Sequence, residues 1–141
     1  MKHAAKAIIY ENDQYLLQLR DDKVSIPYPN CWSFFGGEIE TGETPWQALQ
    51  RELMEEINWC TDEKTFLYKW IDQKVQCIVY FFILKFSGNK NELSLNEGEK
   101  MCWFTIGEVK LIPNTTPLIA DHLLESQGLF CKEKIIIYTN I

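Results

Sequence analysis

G-E-I-E-T-G-E-T-P-W-Q-A-L-Q-R-E-L-M-E-E-I-N-W, running from Gly37 to Trp59, contains one helix with unusually clear ends. Thr44 suits the N-cap, Pro45 the first helical position, and Gln47 completes a capping box. The helix is expected to run to Ile57, with Asn58 as a left-handed residue that stops it. Trp46, Leu49, Leu53 and Ile57 recur at helical spacing and form a core-facing stripe. At 3.6 residues per turn that stripe spans roughly 80°, and Glu52, Glu55 and Glu56 span roughly 100° beside it. Helix stability does not explain these acids. Glu52 lies three residues from Glu55 and four from Glu56, like-charge pairs that each cost about 0.2–0.5 kcal/mol. Glu55 and Glu56 also sit at the helix end where the macrodipole disfavours negative charge. A segment that breaks two local rules together marks a functional site, and a bound cation is the natural compensator.

The spacing resembles the signature of the Nudix family, G-x5-E-x7-R-E-U-x-E-E-x-G-U with U bulky and aliphatic. Gly37, Glu43, Arg51, Glu52, Glu55 and Glu56 match it by identity, Leu53 fills a U position, and Trp59 fills the last hydrophobic slot. At about 7% per identity, six coincidences arise roughly once in 10⁷ starting points. Asn58 stands where the family has glycine; asparagine tolerates positive φ better than other side chains, so the turn is expected to survive. Phe35 stands where many members have proline.

The resemblance implies an α/β fold, a Nudix-like α/β/α sandwich around a mixed β-sheet. It implies a hydrolase that cleaves a diphosphate linkage in a nucleoside diphosphate joined to a group X, with Mg²⁺ as cofactor and Mn²⁺ as a substitute. Glu52, Glu55 and Glu56 look like metal ligands, Glu52 instead or also like the general base, and the Gly36 carbonyl like a further ligand. Glu43 and Arg51 look like the residues that orient those carboxylates. Another acid often joins from outside the motif; Glu97 is the first choice and Glu99 the second. Arg20 and Gly37 are the candidates for contact with substrate. The chemistry is coherent: divalent ions neutralise the anhydride's charges, and Mg²⁺ takes oxygen ligands. Two other functions stand beside it. One is a nucleotide sensor without catalysis, which would be expected to have lost a carboxylate. The other is a Nudix-like isoprenoid isomerase, which would need a Cys and Glu pair in an apolar pocket, with Cys31 or Cys77 as the thiol.

The rest of the chain fits one domain over residues 1–141. A length of 141 residues suffices for a core. The formal charge of −6 argues against a nucleic-acid polymer as partner, while a small nucleotide substrate remains open. The five cysteines are odd in number, form no C-x-x-C and read as buried thiols of a reducing compartment; with only two histidines, a zinc site is not expected. The longest apolar run, Cys77 to Leu84, is far below the ~20 residues that span a bilayer, so the expectation is a cytoplasmic protein without a membrane partner. Family resemblance also makes a homodimer an expectation.

Ala4–Tyr10 and Tyr15–Arg20 read as a strand hairpin, and 21–30 as a loop. Trp32–Phe35 reads as a short strand ending at Gly36 and Gly37. Thr65–Ile71 and Val75–Phe86 read as two more strands, the second central and covered on both faces. A polar loop is expected over Ser87–Glu99 and a strand over Met101–Phe104. Thr105 and Glu108 form a second capping box opening a short helix through Leu111. A further helix is expected from Thr116 to before Gly128, then a last strand or tail over Lys134–Thr139. Trp32, Phe34, Trp70, Tyr80, Phe82 and Trp103 are candidates either for stacking a base or for the core.

Overall fold

The computed structural model describes residues 1–128 and 137–138. Among these, eight strands form one mixed sheet: β1 (Lys2–Glu11), β2 (Gln14–Leu19), β3 (Trp32–Ser33), β4 (Phe35–Glu38), β5 (Thr65–Asp72), β6 (Cys77–Lys85), β7 (Lys100–Phe104) and β8 (Ile137–Tyr138). Their order is β3-β2-β1-β6-β5-β8, with β4 paired to β1 and β7 to β2. Helix α1 (Pro45–Ile57) covers one face; α2 (Ile106–Lys110) and α3 (Ile119–Ser126) cover the other.

Strand alternation builds both layers. Ala5, Ala7 and Ile9 of β1, Leu16 of β2 and Phe82 and Leu84 of β6 pack with Leu49, Leu53 and Ile57 of α1. The alternate residues Ile8, Tyr15, Leu17, Val79 and Phe81 pack with Val109, Ile119 and Leu123 of the other helices. Trp46 rests on this first core against Phe82, with ring centroids 5.5 Å apart. The expected sandwich is thus present, and β6 is central, flanked by β1 and β5.

The long strand β1 changes partner along its length. Ala4–Ala7 pairs with β4, whereas Tyr10 and Glu11 pair with β2. β3 follows β2 through Gln18↔Ser33, and two residues later Phe35 is already opposite Ala7. The sheet therefore forks around Phe34, and candidate site residues gather at that fork.

Several expected elements are redrawn. Trp32–Phe35 is not one strand: the chain changes partner at Phe34, and Gly36 and Gly37 lie inside β4 rather than after a strand. Gly36 has φ +135, and a Cβ there would sit 2.0 Å from the Ala5 carbonyl oxygen, so only glycine lets β4 approach β1 this closely. β6 begins at Cys77, because Val75 and Gln76 form the turn, with Gln76 at φ 54. The polar loop contains a 3₁₀ turn over Lys90–Glu92, capped by Asn89. The last helix begins at Ile119 instead of Thr116; the Thr116 amide and hydroxyl both donate to the Trp32 carbonyl, and Leu118 takes the N-cap position without a side-chain cap. Ile137 and Tyr138 pair with Trp70 and Lys69 as an edge strand, and the remainder of the expected Lys134–Thr139 segment lies outside the described residues.

Helix α1 and its ends match expectation. Both capping-box hydrogen bonds are present at Thr44 and Gln47. Asn58 adopts φ 54, ψ 40, and its N–H donates to the Met54 carbonyl while Trp59 N–H reaches Leu53. Thr105 and Glu108 form the second capping box.

Candidate active site

The last turn of α1 ends in the fork of the sheet. Carbonyls at a helix C-terminus need outside donors, and here a loop supplies them. Ser94 N–H donates to the Ile57 carbonyl, Asn96 N–H to Glu56 and the Asn96 side-chain amide to Glu55. Glu99 N–H then donates to Leu19 on β2. The loop is thus tied to both the helix and the fork, and Glu97 is carried onto the cleft beside them. Glu99 does not line that cleft.

The three motif glutamates are not equivalent. Glu56 is 3% exposed, its Oε1 accepting from the Gly36 N–H at 3.0 Å and its Oε2 from the Gln18 side-chain amide at 3.1 Å. Burial pushes its carboxyl up to about 7, against the opposing pull of Lys6, the Gly36 N–H and Gln18. Glu52 lies flat against Gly37, so closely that a Cβ there would stand 2.5 Å from its carboxyl carbon. Its proton affinity is also raised, chiefly by burial and despite Arg51. Glu55 is half exposed. The adjoining arc read from sequence thus runs from solvent into the interior.

Arg51 holds this arrangement. Its Nε and Nη2 donate to the two oxygens of Glu43 at 2.8 and 2.9 Å, a bidentate pair. Nη1 donates to Glu52 Oε1 at 2.9 Å and stands 3.5 Å from Glu55, and Nη2 also reaches the Glu38 carbonyl. Glu43 in turn accepts the Glu40 N–H. The Arg51 hydrogen bonds draw the Glu43 carboxyl below its usual range. Arg51 thus reaches Glu43, Glu52 and, one helix turn on, Glu55 within one contact set.

A cleft of about 450 Å³ opens beside Glu56. Lys6, Arg20, Gly36, Gly37, Glu56 and Glu97 line it, together with apolar groups including Phe34, Trp70 and Phe81. The Arg20 Nε is held by the Pro27 carbonyl at 2.8 Å. Tyr28, at φ 49 in the loop over residues 21–30, donates its hydroxyl to buried Asp72 at 2.8 Å, tying that loop to the end of β5. Of the aromatic candidates, Phe34 and Trp70 line the cleft, while Phe82 belongs to the core.

Sequence reading missed Lys6, Gln18, Tyr28 and Asp72. For Lys6 there was a signal, one cation inside an otherwise apolar strand; its proton affinity is lowered by burial and supported by Glu56 and Glu52. Tyr28 and Asp72, 44 residues apart, carry no shared pattern. Cys77 lines the cleft, but burial raises its thiol and keeps it protonated, unlike a nucleophile. The described cysteines Cys31, Cys60, Cys77 and Cys102 are free, but none is the buried thiol expected: Cys60 and Cys102 are exposed and Cys31 and Cys77 only partly covered. Among the described residues no helix is long and apolar enough to cross a membrane.

The acid set suits a hard divalent cation. Glu52 and Glu56 are carboxylates whose burial is not offset by their present partners, since both remain raised, and carboxylate and carbonyl oxygens are the ligands Mg²⁺ takes. Among the described residues, no three His, Cys, Asp or Glu side chains converge closely enough to enclose an ion in the present arrangement. Glu55 and Glu97 are exposed acids, and Glu97 lines the cleft beside Glu56.

A helix-borne acid cluster clamped by arginine and set in a forked mixed sheet defines the Nudix class. The NUDIX domain family model matches residues 1–124, and the chain belongs to the Nudix family. A protein of Proteus vulgaris described as an 8-oxo-dGTP diphosphatase is 38% identical over 71 residues, which is 48% of this chain and 60% of that protein. Among solved structures, a MutT NUDIX hydrolase from Burkholderia pseudomallei superposes with a TM-score of 0.70 at 22% identity, over 89% of this chain and 96% of that one. A MutT protein from Methanosarcina mazei gives a TM-score of 0.76 at 16% identity, over 90% and 94%. These two likenesses concern the fold.

Proposed function

We propose that the protein hydrolyses the diphosphate linkage of a small nucleoside diphosphate derivative, a nucleoside triphosphate or a nucleotide sugar, using Mg²⁺ or Mn²⁺. The observation that carries this reading is the Arg51 clamp, which joins Glu43, Glu52 and Glu55 beside a buried Glu56 of raised proton affinity. Glu52, Glu55, Glu56, the Gly36 carbonyl and Glu97 would hold the cation. Bound there, it would neutralise the substrate's phosphates and polarise the phosphoryl oxygens. Glu52, desolvated against Gly37, is suited to take the proton from an attacking water as the bridging P–O bond breaks. Arg20 offers guanidinium donors to phosphate, and Phe34 and Trp70 offer apolar surface to a base. The similarity to a described 8-oxo-dGTP diphosphatase favours a nucleoside triphosphate over a nucleotide sugar. Free thiols suit a reducing cytoplasm.

The test is a panel of nucleoside triphosphates, oxidised ones included, and nucleotide sugars with Mg²⁺ or Mn²⁺, read as release of pyrophosphate, phosphate or nucleoside monophosphate. No turnover across the panel would remove the reading. A nucleotide sensor is the second reading: the same groups would bind nucleotide without cleaving it. A sensor would show a nucleotide-dependent rise in melting temperature without turnover.

Arg51→Met is expected to lower turnover by about 10- to 100-fold, because Glu52 and Glu55 lose the group that aims them. It also removes hydrogen bonds to charged partners, so unfolding free energy should fall by about 1–3 kcal/mol. Steady-state kinetics and urea unfolding would check both; an unchanged rate in a folded variant would contradict the orienting role.

A further inference from the structure

Lys6 occupies the middle of β1, where its neighbours Ala5, Ala7, Ile8 and Ile9 are all buried. In register it faces Gly36 on one side and Phe81 on the other. A lysine in a central strand runs against the local pattern and removes a cation from bulk water. What it gains inside the protein is slight. Its Nζ approaches the Gly36 carbonyl at 3.5 Å, a long contact, and among the described residues it has no ion-pair partner within 4.0 Å. Glu56, Glu52, Arg20 and Cys77 are the charged and titratable groups whose fields it feels.

The other cations lining the cleft are committed differently. Lys2 pairs with Glu38 at 3.1 Å, both largely exposed. Arg20 is anchored through Nε, leaving its terminal nitrogens for the cleft. Lys6 is therefore an amine with spare hydrogen-bonding capacity, fixed on a strand near the middle of the sheet and presented to the cleft beside the acid cluster, whose carboxylates favour its charged form against the cost of burial. A compact ammonium of this kind binds phosphate oxygens well.

We propose that Lys6 is a substrate-binding residue that holds phosphate oxygens of the diphosphate, from β1 and jointly with Arg20 at the end of β2. This rests on the diphosphate-hydrolase reading above. It assigns the phosphates to the floor of the fork between β1 and β2, and it makes Lys6 a determinant of affinity for the polyphosphate chain whatever the base.

Calorimetric binding of inorganic pyrophosphate with Mg²⁺, alongside kinetics on whichever panel nucleotide turns over, tests it. Lys6→Met should weaken pyrophosphate binding by about 10- to 100-fold and raise KM more than it lowers kcat. Lys6→Arg should recover part of the affinity. The melting temperature of Lys6→Met should stay level or rise, since a desolvated cation is removed. Equal pyrophosphate affinity in Lys6→Met and the unaltered protein would overturn the role. So would a loss of affinity that comes with a lower melting temperature and no recovery in Lys6→Arg, which would mark Lys6 as a support for the Gly36 carbonyl. If the unaltered protein neither binds pyrophosphate nor turns over any nucleotide, the hydrolase reading falls first and this one with it. If it does both and Lys6→Met behaves identically, only the role of Lys6 falls.

Discussion

Glu56→Gln is expected to cut turnover by about 10³-fold or more, a loss of roughly 4 kcal/mol of transition-state stabilisation, while making the metal-free protein more stable at neutral pH. The two effects share one cause. Glu56 is a buried carboxylate at the fork of the sheet, and burial raises its carboxyl to about 7. A group with a raised folded-state pKa binds its proton more tightly in the native state than in the unfolded chain. Its contribution is therefore most favourable below the unfolded value of 4.5 and declines as pH climbs from there to about 7. The decline amounts to at most about 3 kcal/mol, at 1.36 kcal/mol per pKa unit. Glutamine keeps the shape without the charge. One of its neighbours must then change role, because the new amide nitrogen cannot accept; the Gln18 amide can flip and offer its oxygen, whereas the Gly36 N–H must keep an acceptor. Urea unfolding in chelator at pH 5 and pH 8 should show a smaller loss of stability in the variant than in the unaltered protein. Full activity in the variant, or a steeper pH dependence, would contradict the assignment of Glu56 as a buried acid of raised proton affinity in the metal site.

Adjacent glycines should give opposite results. Gly36→Ala is expected to destabilise the fold by about 3–5 kcal/mol, the range of severe backbone and packing defects. Its φ of +135 is strained for any side chain, and the new methyl would meet backbone, the Ala5 carbonyl oxygen at 2.0 Å. Backbone inside a paired strand cannot move aside. Gly37→Ala should fold and lose activity by about 10²-fold, the effect of displacing a reacting group by an ångström. There the atoms nearest the new methyl are the carboxyl end of Glu52, at 2.5 Å, and a side-chain terminus yields by rotating out of place. Thermal melts and turnover on the same two variants separate the cases. A Gly37→Ala variant of unaltered activity would show that Glu52 need not lie where it does.

The readable part of the site was the part written within a few residues of itself along the chain. Thr44, Gln47, Leu49, Leu53, Arg51, Glu52, Glu55 and Asn58 act through neighbours three, four or eight positions away, so period and capping chemistry specify them before any tertiary contact forms. Asn58 in the left-handed region follows from the same local rules, as does the choice of acids that could face a cation. Gly36 was legible as a site residue but not as a member of β4, because its need for glycine comes from Ala5, thirty-one residues earlier.

Depth and direction were decided elsewhere. Glu56 and Glu55 are sequence neighbours with the same chemistry. Only the fork between β1, β2 and β4 makes one buried and doubly hydrogen-bonded and leaves the other half exposed. Glu97 and Glu99 are likewise indistinguishable in a polar loop, until Asn96 caps α1 and turns one of them to the cleft. Lys6 becomes a cleft cation only because β1 pairs with Gly36. A residue's spacing is a property of the chain, whereas its burial, its proton affinity and the groups it faces depend on strands dozens of residues away, and those the folded sheet alone brings together.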